Sequence, residues 1–207
     1  ESVTNTYTTL TSAVADTQAA HYDYIYLLPG SYTVSTVVAL SNSDVHIVGL
    51  GPPGTVTLTG SGADILTLTG DNCEIANIRF VAASAQVCLN MTGADRCHIH
   101  DCFFEGAGGT ASHMIRMLTT ACNENLIERN RFFSNLVTAS GTATQTASVT
   151  GLGSRNIFQH NTFQSHRTST SNAGATTSGI VFSAAADIGN VIRYNSLFES
   201  NGATFTA

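Results

Sequence analysis

With 207 residues and a net charge of −6, the chain is long enough for one domain with a substantial core or for one elongated repeat domain. All eight cations are arginine, which excludes any reaction needing a lysine base, a Schiff base or a P-loop amine; the lack of a basic run argues against nucleic acid as a partner. No apolar run approaches the ~20 residues of a membrane span, and five cysteines without a CxxC pair imply neither a complete disulfide framework nor a zinc site.

The first residue is Glu1 rather than Met, as expected of a processed product or an excised fragment. From Thr8 to Ala20, Leu10, Ala13, Val14 and Thr17 recur at helical spacing, which predicts a short amphipathic helix over 8–20. An apolar strand follows in YIYLLPGSYTV, stopped at Pro29-Gly30 and restarted at Tyr32. Next, VVALSNSDVHIVGLG reads as a strand, a polar turn at Ser41–Asp44 and a second strand around Ile47, closed by Gly49 and Gly51.

Beyond this point the chain repeats itself. CEIANIRF (Cys73–Phe80) returns as CHIHDCFF (Cys97–Phe104), NLIERNRF (Asn125–Phe132), NIFQHNTF (Asn156–Phe163) and NVIRYNSL (Asn190–Leu197). In each copy an apolar anchor (Ile75, Ile99, Ile127, Phe158, Ile192) is followed five residues later by another apolar residue, while the anchors lie 24, 28, 31 and 34 residues apart. Fixed inner spacing with variable outer spacing is the mark of a solenoid. Ile47 precedes Ile75 by 28 residues and fits an earlier coil. A shorter strand of period-two apolarity precedes most anchors (Leu66/Leu68, Leu89/Met91, Ile115/Met117, Ile180/Phe182), and the copy near Val149 is degenerate. The lengthening falls in Glu105–His113, Ser134–Ala147 and Gln164–Ser178, which leave the coil at one corner and are rich in Ser, Thr, Ala and Gly. The expected architecture is one all-β domain over 1–207, a right-handed parallel β-helix of six to seven coils over 25–198, with a capping helix at 8–20 and a tail at 199–207. No second amphipathic helix follows Leu197, so this end of the solenoid needs a cover.

The run from the helix through IYLLPGSYTV and VHIVGLG to ILTLTGDNCEIANIRF resembles the start of the pectin-lyase-like β-helix superfamily, with the likeness extending over about 8–198. The resemblance implies the fold and an N-terminal cap. It leaves function open, because that superfamily holds pectate lyases, polygalacturonases, phage tailspikes and non-catalytic virion or adhesin stems. The NTD-, DD- and HG-type motifs of polygalacturonase-like members are missing from this sequence. The nearest candidates for a lyase-like calcium cluster, Asp71 and Asp95, sit in tight turns. There is no tryptophan to serve as a sugar platform.

Stacking the copies brings equivalent residues about 4.8 Å apart. Asn125, Asn156 and Asn190 then form one column and Asn130, Asn161 and Asn195 another, which reads as a hydrogen-bonded ladder rather than an active site. Cys73 and Cys97 occupy the first of these positions and read as buried free thiols. Just beyond the anchors, His100, Asp101, Glu128, Arg129 and His160 gather on one patch, with His98 nearby. They are the candidate acid/base residues for glycan cleavage, weighed against a salt-bridge patch. If the anchors face inward, Leu126, Ile157 and Val191 form an outward apolar stripe; in the opposite register the stripe is Ile127, Phe158 and Ile192. Either is a surface for a covering loop or a partner. The favoured reading is a non-catalytic structural protein of a phage or other virus particle, a capsid decoration protein or spike stem. It would assemble as a homotrimer and contact other virion proteins, in the virion or outside the cell. The alternatives are a polysaccharide depolymerase and a glycan-binding adhesin. No cofactor, metal, membrane or nucleic acid enters any of these readings.

Overall fold

The computed structural model describes residues 5–19, 21–82, 86–106, 114–117, 120–136, 149–151, 153–167, 180–182 and 188–200. Most of the three inserted loops and the tail beyond residue 200 lie outside the described residues. A helix, α1 (Leu10–Ala15), opens the fold. The first two coils contribute β1 (Asp23–Leu27), β2 (Gly30–Val34), β3 (Val38–Leu40), β4 (Val45–Gly49), β5 (Val56–Gly60) and β6 (Leu66–Leu68). The next two supply β7 (Glu74–Ala76), β8 (Arg79–Ala82), β9 (Leu89–Met91), β10 (His98–His100), β11 (Phe103–Gly106) and β12 (Ile115–Arg116). Then come β13 (Leu126–Glu128), β14 (Arg131–Leu136), β15 (Val149–Gly151), β16 (Ile157–Gln159), β17 (Thr162–Arg167) and β18 (Ile180–Phe182). The last coil holds β19 (Val191–Arg193) and β20 (Ser196–Ser200).

Every third strand pairs in parallel. The first sheet runs β1-β4-β7-β10-β13-β16-β19, the second β2-β5-β8-β11-β14-β17-β20, and the third β3-β6-β9-β12-β15-β18. This is the parallel β-helix expected from the repeats, with three strands per coil and seven strands in each of the two longer sheets. Ile47, Ile75, Ile99, Ile127, Phe158 and Ile192 are direct register partners. One further coil stands ahead of them, because Ile25 pairs with Ile47. The degenerate copy at Val149 keeps its place between Ile115 and Ile180. The described ends of the insertions leave from β11, β14 and β17, all in the second sheet, before the chain re-enters the third.

The helix is shorter than its apolar spacing predicts. Thr9 caps it by accepting from the Ser12 amide, and Leu10, Ala13 and Val14 bury the inner face. It stops at Asp16, whose carboxylate binds the side chains of Asn5 and Tyr7, while Thr17 turns its hydroxyl back onto the Val14 carbonyl. Local side-chain bonding of this kind competes with helix continuation.

Inside the coils the side chains repeat with the backbone. Phe80, Phe104, Phe132 and Phe163 stack face to face with ring centroids 5.1, 5.1 and 4.7 Å apart. The asparagines form the two expected ladders. Asn125 Oδ1 accepts from the Cys97 amide at 2.8 Å and its Nδ2 donates to the Ala94 carbonyl at 3.1 Å; Asn156 and Asn190 repeat both bonds one coil further on each time. Asn130, Asn161 and Asn195 do the same at the next corner. Every one of these side chains reaches back to the preceding coil. An opposite ladder reaches forward: Ser43, Asp71, Asp95, Asn123 and Ser154 each accept the backbone N–H of the equivalent turn in the following coil. Asp71 and Asp95 are thus structural turn residues, as their sequence setting indicates.

The cysteines are free and buried. Cys97 and Cys102 occupy the asparagine columns and point their Sγ at the Gly70 and Ile75 carbonyls, imitating the amide donor of asparagine. Burial pushes the Cys88 and Cys102 thiols up to about 12 and raises Cys122 as well. At about pH 8 Cys88, Cys102 and Cys122 should therefore react only slowly with a thiol reagent in the native protein, whereas all five thiols react promptly in denaturant. Prompt stoichiometric labelling of the native chain would contradict this packing.

Candidate functional site

The anchors from Ile47 to Phe158 are buried in the core, while Ile192 in the last described coil is exposed; the residues on either side of the anchors line the outer face of the first sheet. One outer row runs Tyr24, His46, Glu74, His98, Leu126, Ile157, Val191. The second runs Ala76, His100, Glu128, Gln159, Arg193. A third column follows at the turn, where Asn77, Asp101, Arg129, His160 and Tyr194 all take left-handed backbone angles, φ 53–55°. Asn and Asp tolerate that conformation better than Arg, His or Tyr. Its recurrence in five coils shows that the turn imposes it. The turn also folds the third column back toward the second row, where charged side chains meet.

The contacts form one network across the coils. His46 Nδ1 lies 2.8 Å from Glu74 Oε2, and Glu74 Oε1 lies 2.8 Å from His100 Nε2. His100 Nδ1 lies 2.7 Å from Asp101 Oδ2. Arg129 grips both Asp101 oxygens, at 3.0 Å each, and binds Glu128 with its Nη1. Glu128 further accepts from Gln159 Nε2 at 2.7 Å and faces His98 Nε2 at 3.2 Å. Arg193 closes the chain on Gln159 at 2.9 Å.

The electrostatics follow these contacts. Arg129, helped by His100, holds the Asp101 carboxyl below the usual carboxylate range against the opposing effect of burial. Burial pushes Glu128 and Glu74 up, but hydrogen bonds outweigh it in both, from Gln159, Arg129 and His98 to Glu128 and from His100 and His46 to Glu74. Both stay anionic at neutral pH. Burial, and then the neighbouring His100 ring 4.0 Å away, lowers His98 and keeps it neutral.

Of the residues singled out from sequence, His100, Asp101, Glu128 and Arg129 come together, with His98 beside them. His160 sits in the turn column one coil beyond Arg129, with its ring stacked on Tyr194 at 5.2 Å. Sequence reasoning missed Glu74 and His46. They precede their anchors Ile75 and Ile47, in the position of His98, so counting outer rows on both sides of each anchor would have found them. The apolar stripe is Leu126, Ile157 and Val191, in register over β13, β16 and β19 and continuing the row of His98. Leu126 and Ile157 are half-buried and Val191 is 39% exposed. Tyr22, Tyr24 and Tyr26 are exposed at the opposite end, where Tyr24 stacks on His46 at 4.4 Å.

No known protein family matches the chain, and neither does any curated protein. Among solved structures, a candidate glycosyl hydrolase of Parabacteroides merdae is similar over 95% of this chain and 88% of its own, at 9% identity and a TM-score of 0.53. The Aspergillus niger pectin methylesterase aligns over 98% of this chain and 87% of its own, at 12% identity and a TM-score of 0.41. ORF18 of Geobacillus virus E2 aligns over 94% and 57%, at 12% identity and a TM-score of 0.34. At such identities the likeness is one of fold alone, the parallel β-helix that the resemblance to the pectin-lyase-like superfamily implied.

Proposed function

We propose that this protein is a non-catalytic structural component of a virus particle, a decoration protein or spike stem, that works through contacts between copies of itself. One observation carries the reading. An apolar stripe is presented in register on three successive coils, while the acids and bases beside it are tied to one another. His100 has both ring nitrogens in contact with carboxylates, Asp101 is held by two Arg129 nitrogens, and both Glu128 oxygens have partners. A general acid or base needs a proton-transfer position directed at substrate; here those positions are spent on bonds within and between coils. A homotrimer would cover Leu126, Ile157 and Val191, with the stiff strand ladder resisting deformation under load.

Solution mass, measured together with a polysaccharide assay, tests the reading. Light scattering should give a trimer, and Leu126→Asp with Ile157→Asp should yield monomers with unchanged circular dichroism. A monomeric wild type overturns the proposal, as does release of reducing ends or unsaturated products from acidic polysaccharides that His100→Ala abolishes. The second result would establish the depolymerase alternative.

A further inference from the structure

His98 and His100 stand two residues apart on β10, so strand alternation sends both rings to the outer face. Glu74 is the register partner of His98 on β7. Ligand atoms of these three side chains lie within 4.8 Å of one another, and each side chain is partly open to solvent. We propose that Glu74, His98 and His100 form a binding site for a divalent transition-metal ion, Zn2+ foremost, which clamps β7 to β10 and keeps a fourth coordination position open to solvent. The donor set is two imidazoles and one carboxylate, which suits zinc with a water in the remaining place. Zinc–ligand bonds of about 2.0–2.1 Å put tetrahedral ligand atoms about 3.3 Å apart. Small rotations of these partly exposed side chains would bring them to that spacing.

The surroundings fit the ion independently of the three ligands. A ligating imidazole ordinarily has its other nitrogen fixed by a carboxylate or carbonyl. Asp101 occupies that role for His100 Nδ1 at 2.7 Å and is itself immobilised by Arg129. Glu128 takes it for His98 Nε2, and His46 orients the far oxygen of Glu74. Among the described residues, the carboxylates of Glu74, Asp101 and Glu128 are contacted by one guanidinium, that of Arg129, so the cluster carries excess negative charge that a divalent cation neutralises. The site is independent of the function proposed above, since a clamp between coils serves a structural protein and an enzyme alike.

The test is titration of chelator-treated full-length protein with ZnCl2 by calorimetry and with CoCl2 by visible absorption. The expected result is one equivalent bound, an intense tetrahedral-type cobalt spectrum, and a melting temperature that zinc raises and chelator restores. Glu74→Gln and His98→Ala, verified as folded by circular dichroism, should abolish the spectrum. Asp101→Asn, which leaves all three ligands in place, should weaken binding by about 10–100-fold at unchanged stoichiometry. His160→Ala should bind as the wild type does. An octahedral-type weak cobalt spectrum, or binding that persists in folded Glu74→Gln and His98→Ala, overturns the assignment.

Discussion

Replacing Phe104 by alanine is expected to cost the fold about 3–5 kcal/mol, measured as a lowered midpoint in chemical denaturation. Phe104 is fully buried and sits between Phe80 and Phe132, each 5.1 Å away and nearly parallel to it. The cavity left by alanine has little means of closing. The strands above and below are pinned in register, with Phe104 paired to Phe80 on one side and Phe132 on the other. Collapse would have to compress the ladder or tilt two rings already packed against further neighbours. Because strand pairing runs only between adjacent coils, the loss concentrates at the coils built on β8, β11 and β14 rather than spreading along the axis. Hydrogen exchange should therefore quicken there first. Phe104→Leu, which refills most of the volume, should recover most of the stability. An alanine variant with an unchanged midpoint would mean that the stack contributes nothing to the core.

The second large effect is expected at Asn130. Leucine there is close in size but orphans the buried Cys102 N–H and takes from the Ile99 carbonyl, which the strand ladder still engages, its second bond; each now lies 2.9 Å from the side-chain amide. At about 1–3 kcal/mol for the unsatisfied N–H and about 0.5–1.5 kcal/mol for the lost second bond, the loss is roughly 1.5–4.5 kcal/mol. Aspartate keeps the acceptor but removes the donor and buries a carboxylate, so its folded-state pKa must rise above the unfolded value of about 3.9. A raised carboxyl pKa leaves the penalty small in acid and makes it grow as pH climbs past the unfolded value. Denaturation of Asn130→Asp between about pH 4 and pH 7 should show its deficit widening upward. A deficit that narrows in that direction would refute the buried-amide account.

The architecture was legible because it is written in spacing. Ile75, Ile99, Ile127 and Phe158 share a sequence frame and turn out to share a register. The asparagine columns and buried thiols follow from the same frame. The coil at Ile25 falls inside the expected span 25–198, although its strand, like that of Ile47, lacks the Cys/Asn corner that marks later copies. The length of α1 escaped because the bonds that end it, from Asn5 and Tyr7 to Asp16, join residues on opposite sides of the helix. The candidate site was half legible. His100, Asp101, Glu128 and Arg129 follow the anchors and were visible as a column, whereas Glu74 and His46 gain meaning only once the inward register is fixed. No spacing within the linear chain marks Glu74, His98 and His100 as a set, since the third member comes from a neighbouring strand.

The two ladders of side-chain bonds run in opposite senses along the axis, and this bears on how the chain is made. A turn leaving the ribosome meets acceptors already in position on the turn before it, at Asp71, Asp95 or Asn123, and delivers asparagine amides that fasten onto that same predecessor. Those asparagines also accept backbone N–H groups that the predecessor had left open, so each turn is completed by the one made directly after it. Such a protein can wind itself up one revolution at a time behind its helical cap, so its long-range topology does not carry the slow search that parallel sheets otherwise impose.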